Sequence, residues 1–257
     1  MRPFIYPFPG SKLSGKTLIV PIVSTANVSQ LAADLLISSF SLQRLAIFNP
    51  EFLVPVVGGR EDDEEGVTTP LELYGKAGSD LLVIQQRSPV LKSRKQDFVA
   101  SLLDFIKSSG VGAVLFLSGV DLSNRTDSQM FTPTYQIQPS SCPSLAGSPL
   151  HDLNKLPIPV YTSPVLQASH SGTEDGAIPF IPGGGLTRRI LRALPDGWPI
   201  PTASLLQFVL EGDNRADAKL FAAVVAKVVG QGSTEWRQPA SWKQGLFGAP
   251  HDQTLYG

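Results

Sequence analysis

The 257-residue chain contains one cysteine, Cys142, and three histidines. A lone thiol builds neither an internal disulfide framework nor a cysteine-based zinc site, and its isolation suits a reducing compartment. An excess of charge of either sign is also missing, since 21 Lys+Arg face 22 Asp+Glu for a formal net charge of -1. Without surplus cations to release counterions, the chain is not built for charge-driven capture of nucleic acid or anionic membrane. The longest apolar stretch, around residues 18–23, is interrupted by Pro21 and falls far short of the roughly 20 residues that span a bilayer. Met1 to Pro9 holds three prolines where a secretory signal needs a continuous apolar core. No internal repeat is visible.

What is present is enough apolar residue, 42% of the chain, to bury a substantial core. Residues 17–23 are β-branched and apolar, the pattern of a strand covered on both faces, with Pro21 expected at a bulge or an edge. Asn27 with Gln30 has the spacing of a capping box, opening a helix that carries Val28, Leu31, Ala32, Leu35 and Leu36 on one side. Strands are expected over residues 44–48, 53–57 and 80–86. A second capping box, Ser93 with Gln96, opens a helix bearing Phe98, Leu102, Phe105 and Ile106, stopped by Gly110. Residues 113–117 read as another buried strand. Strands alternating with helices imply an α/β fold, a mostly parallel sheet flanked by helices as an α/β/α sandwich. Residues 139–176 turn to Pro, Ser, Gly and Thr and read as a flexible insertion. Three helices are expected to close the fold, over 186–194, 202–211 and 217–229. One domain therefore covers 1–247, and residues 248–257 form a tail.

Few residues suggest catalysis. Gly10-Ser11-Lys12-Leu13-Ser14-Gly15-Lys16-Thr17 satisfies the P-loop pattern. That motif works only between a buried strand and a helix N-terminus that points its N–H groups at phosphate. Here prolines precede it and a strand follows. Gly183-Gly184-Gly185 leads into a helix with Arg188 and Arg189, where an anion could bind, but triple glycine before a helix is more often a close backbone crossing. His151 and His170 lie in the insertion and His251 in the tail, away from the strand ends where α/β enzymes place chemistry. Ser169, His170 and Asp175 contain the letters of a triad without a scaffold to hold them. No metal-ligand spacing occurs, and the acidic run at residues 61–65 reads as a solvated loop. No catalytic residue, cofactor or metal is expected.

Several segments taken together are more specific. They are Val20-Pro21-Ile22-Val23-Ser24, Asn27-Val28-Ser29-Gln30-Leu31-Ala32 with Asp34-Leu35, Leu53-Val54-Pro55-Val56-Val57-Gly58, Gln86-Arg87-Ser88, Lys107-Ser108-Ser109-Gly110, Ile181-Pro182-Gly183-Gly184-Gly185, and residues 206–214 ending Glu211-Gly212-Asp213-Asn214. In order and spacing, from about residue 17 to 247, the chain resembles the proteasome assembly chaperone 2 family. The resemblance implies a non-enzymatic chaperone of cytoplasm and nucleus that forms a heterodimer with proteasome assembly chaperone 1. The pair would bind the α-ring of the core proteasome and promote its correct assembly, with proteasome α-type subunits as partners. It also implies a role for the terminal hydrophobic-Tyr-any sequence, Leu255, Tyr256 and Gly257, in pockets between α-subunits. The alternative is a small-molecule enzyme of a phosphorylase-like or hydrolase-like α/β fold, using residues 183–189 as an anion site.

Overall fold

The computed structural model describes every residue except 1, 2, 9, 11, 62–64, 165–177, 233–234 and 245–257. In chain order the elements are β1 (Ile5–Pro7), β2 (Thr17–Pro21), α1 (Val28–Ser39), β3 (Gln43–Phe48), a small ribbon of β4 (Gly58–Gly59) and β5 (Val67–Thr68), β6 (Leu71–Gly75), β7 (Leu81–Gln86), α2 (Lys95–Ser109), β8 (Ala113–Asp121), β9 (Thr134–Ile137), α3 (Gly185–Arg192), β10 (Thr202–Val209) and α4 (Arg215–Val228). Eight strands form one sheet in the order β1-β3-β6-β7-β2-β8-β10-β9. The central four, β7, β2, β8 and β10, run parallel. Antiparallel β6, β3 and β1 extend one side, and antiparallel β9 closes the other. The expected α/β sandwich is what forms, largely parallel at its centre.

Period-two alternation sends successive strand residues to opposite faces. Leu18, Val20, Leu82, Ile84, Val114 and Phe116 meet Phe98, Leu102 and Ile106 of α2 and Leu186 and Ile190 of α3. Ile19, Val83, Leu115, Leu117 and Leu205 meet Val28, Leu35 and Leu36 of α1 and Phe221, Ala222 and Val225 of α4. Because both faces are covered, the central strands are continuously apolar, and Phe48, Phe98, Phe116, Phe208 and Phe221 are all fully buried.

Residues 202–211, expected to be helical, are instead β10 with its last two residues beyond the strand. β10 is in parallel register with β8 from Thr202 opposite Val114 to Val209 opposite Asp121. A short apolar run buried on both faces has no solvent face to reveal its period, so a strand and a buried helix look alike. Residues 53–57 do not extend as a strand. Leu53 makes one bridge to Val90, and Val56 and Val57 are exposed. The strands β1, β6 and β9 lay outside the expectation.

Neither capping box forms. Each of those helices is entered through a 3-10 turn, Thr25–Asn27 and Lys92–Arg94, and has no side-chain cap. Gly110 does end α2 with φ 68°. Pro21 lies at neither a bulge nor a sheet edge, but closes central β2. Ile22 N donates to Leu117 O of β8, so the Pro21 nitrogen faces β7, where pairing has already ended at Ile19 opposite Val83. Its missing N–H therefore removes no ladder bond. Within the insertion, residues 139–164 carry short turns, and Leu145, Leu150, Leu153 and Tyr161 are buried in the two cores.

Candidate functional site

The carboxyl ends of parallel strands are where an α/β protein ordinarily holds a ligand. Here three backbones fill that crevice. After β2 the chain turns through Ala26 (φ 57°) and Asn27 (φ 51°), a left-handed conformation that Asn tolerates but that Ala holds only when its surroundings enforce it. The constraint is visible in two bonds. Ala26 N donates to Glu211 Oε1 at 2.9 Å, and Gly119 N donates to Ser24 Oγ at 2.7 Å. A Cβ on Gly119 would collide with the Thr25 carbonyl oxygen, and one on Gly183 with Thr25 Oγ1. Of the triple glycine, Gly183 is therefore at a close crossing, as the sequence suggested, while Gly185 has open space around it. Hydroxyls at the strand ends serve structure. Thr187 Oγ1 donates to buried Ser118 Oγ at 2.9 Å, and Ser88 Oγ donates to Val54 O at 2.6 Å.

Several apolar side chains are exposed near this crossing, among charged ones such as Glu211 and Asp213. Val56 and Val57 follow Val54, which is tied to the end of β7. Met130 and Phe131 precede Pro133, whose carbonyl accepts from Phe208 N of β10, and Leu210 follows β10. Phe131 is 91% exposed and Val57 72%. Contiguous exposed apolar patches mark interaction surfaces, whereas single exposed apolar side chains are ordinary.

The other residues singled out by sequence lie elsewhere. Thr17 of the P-loop pattern begins β2 rather than a helix, and Lys16 Nζ donates to Ser79 O at 2.6 Å. His151 is at the opposite, amino end of the sheet near Thr17 and Leu81, where its Nε2 is 3.3 Å from an Asp152 oxygen. Ser169, His170, Asp175, His251, Leu255, Tyr256 and Gly257 lie outside the described residues. Among the described residues, no three His, Cys, Asp or Glu side chains gather as metal ligands. No helix among them is long and apolar enough to cross a membrane.

Sequence reasoning missed a polar network at the antiparallel margin of the sheet, beside α1. Glu72 is fully buried, yet it accepts from Arg44 Nη1 at 2.7 Å, Tyr74 Oη at 2.7 Å, Thr69 N at 3.0 Å and Thr69 Oγ1 at 3.2 Å. Asp34 of α1 accepts from Gln85 Nε2 at 2.6 Å and pairs with Arg87 at 3.4 Å. Burial pushes the Asp34 carboxyl above its ordinary value, with Arg87 and Gln85 pulling partly the other way. Burial opposes the Arg87 charge, but Asp34, Tyr74 and Glu72 outweigh it and hold the guanidinium protonated. Burial, then the Glu72 charge, pushes the Tyr74 phenol up. A signal was present, because Glu72 and Gln85 interrupt otherwise apolar strands where a polar residue must find partners.

The arrangement defines an α/β sandwich whose parallel-strand crevice is packed by a close crossing of three segments, with apolar and charged side chains exposed beside it. The same fold occurs in *Pyrococcus furiosus* PbaA, described as an archaeal homolog of proteasome-assembly chaperone. Its monoclinic form gives a TM-score of 0.63 at 15% identity, covering 90% of this chain and 83% of that one. *Pyrococcus furiosus* PbaB, described as an archaeal proteasome activator, gives 0.57 at 18% identity with 89% of each chain covered. Sequence similarity is higher with proteasome assembly chaperone 2 of *Xenopus tropicalis*, 34% identical over 253 residues, 92% of this chain and 93% of that one. The human protein of that name is 32% identical over 264 residues, 95% and 96% of the two chains. The PAC2 family model matches residues 18–229, and the chain belongs to the PAC2 family.

Proposed function

We propose that this chain is a proteasome assembly chaperone, without catalytic activity, that acts in cytoplasm and nucleus. In this reading it forms a heterodimer with proteasome assembly chaperone 1, binds the α-ring of the core proteasome and promotes its correct assembly. The observation that carries the reading is family membership across residues 18–229, together with relatives named proteasome assembly chaperone 2 that match almost end to end. The fold agrees with a protein that works by binding. The crevice an enzyme would use is filled by the Thr25, Gly119 and Gly183 crossing, and exposed Phe131 and Val57 are the kind of side chain that a partner buries.

Leu255, Tyr256 and Gly257 dock in this reading into pockets between α-subunits. Burying Leu255 and Tyr256 contributes roughly 1.5–3 kcal/mol each, against at least about 4 kcal/mol lost in ordering and association. The tail is therefore weak alone and effective when tethered to a body already on the ring. The test has two parts. A tagged chain should recover one related α/β partner with α-type proteasome subunits from cytosol, and recovery of neither refutes the role. Deleting residues 255–257, or Tyr256→Ala, should weaken binding of the purified heterodimer to core particles in interferometry while leaving its melting curve unchanged. Equal binding by all three proteins refutes the tail's part.

A further inference from the structure

Helix α3 carries Arg192 at i+4 from Arg188 and i+3 from Arg189, while Leu186, Thr187, Ile190 and Leu191 are buried beneath. Like charges at these spacings repel. The helix dipole favours cations in the last turn and offsets part of that repulsion, but a single arginine would serve that purpose.

Several arginines elsewhere in the chain have a carboxylate partner. Arg44, Arg87, Arg94 and Arg215 each sit on a carboxylate. Among the described residues, no carboxylate pairs with the three of α3. Their partners are neutral: the Ile178 carbonyl for Arg188 Nε, Gln96 Oε1 for Arg189 Nη1, and the Phe180 ring for the Arg188 guanidinium, 5.8 Å from its centroid. Burial, then the charge of Arg192, holds Arg188 below its ordinary value, a repulsion that a bound anion would relieve.

These side chains line a groove of about 440 Å³ between α3 and the start of α2, with Phe180, Ile181 and Ala193 as apolar wall. We propose that this groove docks an acidic segment of a protein partner, its carboxylates held by Arg188, Arg189 and Arg192 and a neighbouring apolar side chain resting on Phe180. Guanidinium forks match carboxylates in a bidentate fashion. An eight-residue helix is only about 12 Å long, which suits a few carboxylates rather than the extended cationic track that nucleic acid follows. The inference holds independently of the role proposed above.

The test uses the purified full chain and fluorescence anisotropy of a fluorescein-labelled hexaglutamate peptide carrying one leucine. The wild type should bind saturably at 50 mM salt and more weakly at 200 mM. Arg189→Glu with Arg192→Glu should lose at least tenfold in affinity, and the corresponding double Gln variant should fall between. Both alter exposed side chains, so circular dichroism melts should match wild type. Lys107→Glu, an exposed charge change at the far end of α2, should bind as wild type does. Absence of saturable wild-type binding, equal affinity in the double Glu variant, or tighter binding of single-stranded oligonucleotide or anionic vesicles through the same arginines would each overturn the proposal.

Discussion

Replacing Arg44 by Met tests whether the buried carboxylate of Glu72 depends on its ion pair. Met keeps an unbranched stem near Phe8, over whose ring the Arg44 guanidinium sits at 5.6 Å, so the change removes charge with little change in packing. Glu72 is fully buried and Arg44 is 15% exposed, which places the pair among those where loss of one partner costs about 3–5 kcal/mol. Three donors remain on Glu72, from Thr69 N, Thr69 Oγ1 and Tyr74 Oη, and they pull the expectation to the lower end, about 3 kcal/mol. At about 2–4 °C per kcal/mol for a chain of this size, Arg44→Met should melt roughly 6–12 °C below wild type. Adding Glu72→Gln removes the stranded charge and keeps an amide that can accept from Thr69 and bond to the Tyr74 hydroxyl. The double variant should recover to within about 1 kcal/mol of wild type. Urea unfolding followed by circular dichroism gives all four corners of the cycle. An Arg44→Met midpoint within error of wild type, or a double variant no more stable than Arg44→Met, would falsify the claim that this charge is held by its partner.

Asp34 gives a pH-dependent counterpart. Its folded carboxyl sits above the ordinary value of 3.8, chiefly through burial, so the folded chain binds more proton than the unfolded one and stability falls as pH rises through that window. Relative to Asp34→Asn, the wild type should lose stability as pH rises above the ordinary carboxylate value of 3.8, and a difference that is flat or opposite in sign in urea midpoints refutes the assignment. Glycine substitutions should split by position. Gly119→Ala drives a Cβ into the Thr25 carbonyl and should cost about 1–3 kcal/mol. Gly185→Ala, with nothing within 4 Å of its Cβ and helical geometry already in place, should gain about 0.4–1 kcal/mol. Melting temperatures moving in the same direction for both would contradict the crossing described here.

The centre of the sheet was readable in the sequence because the strands there are buried on both faces and are nearly all apolar. β2, β7 and β8 stand out on that ground alone. The same property concealed β10, whose Leu205, Leu206, Phe208 and Val209 satisfy a helical period as well as an extended one. The capping boxes failed because the chain enters α1 and α2 through 3-10 turns fixed by distant contacts, among them the Glu211 bond to Ala26, 185 residues away in the chain. A close approach within the triple glycine was legible, but what Gly183 approaches was not, since Thr25 and Gly119 arrive from other strands. The arginines of α3 are plain in the sequence. That no carboxylate among the described residues pairs with them depends on which acidic side chains the fold brings near, and only the tertiary structure supplies that.

The placement of β10 between β8 and β9 also sets an order of events during synthesis. β9 is made first, but the strand it pairs with follows roughly seventy residues later in the chain. At about 5–20 residues per second, Thr134–Ile137 waits on the order of 4–14 s for its neighbour. Through that interval β8 presents an unpaired edge and the apolar segments around it stay uncovered, which is when an emerging chain is most exposed to wrong pairing. Because β9 pairs in the sheet with β10 alone, neither can join until residues 202–209 have been made.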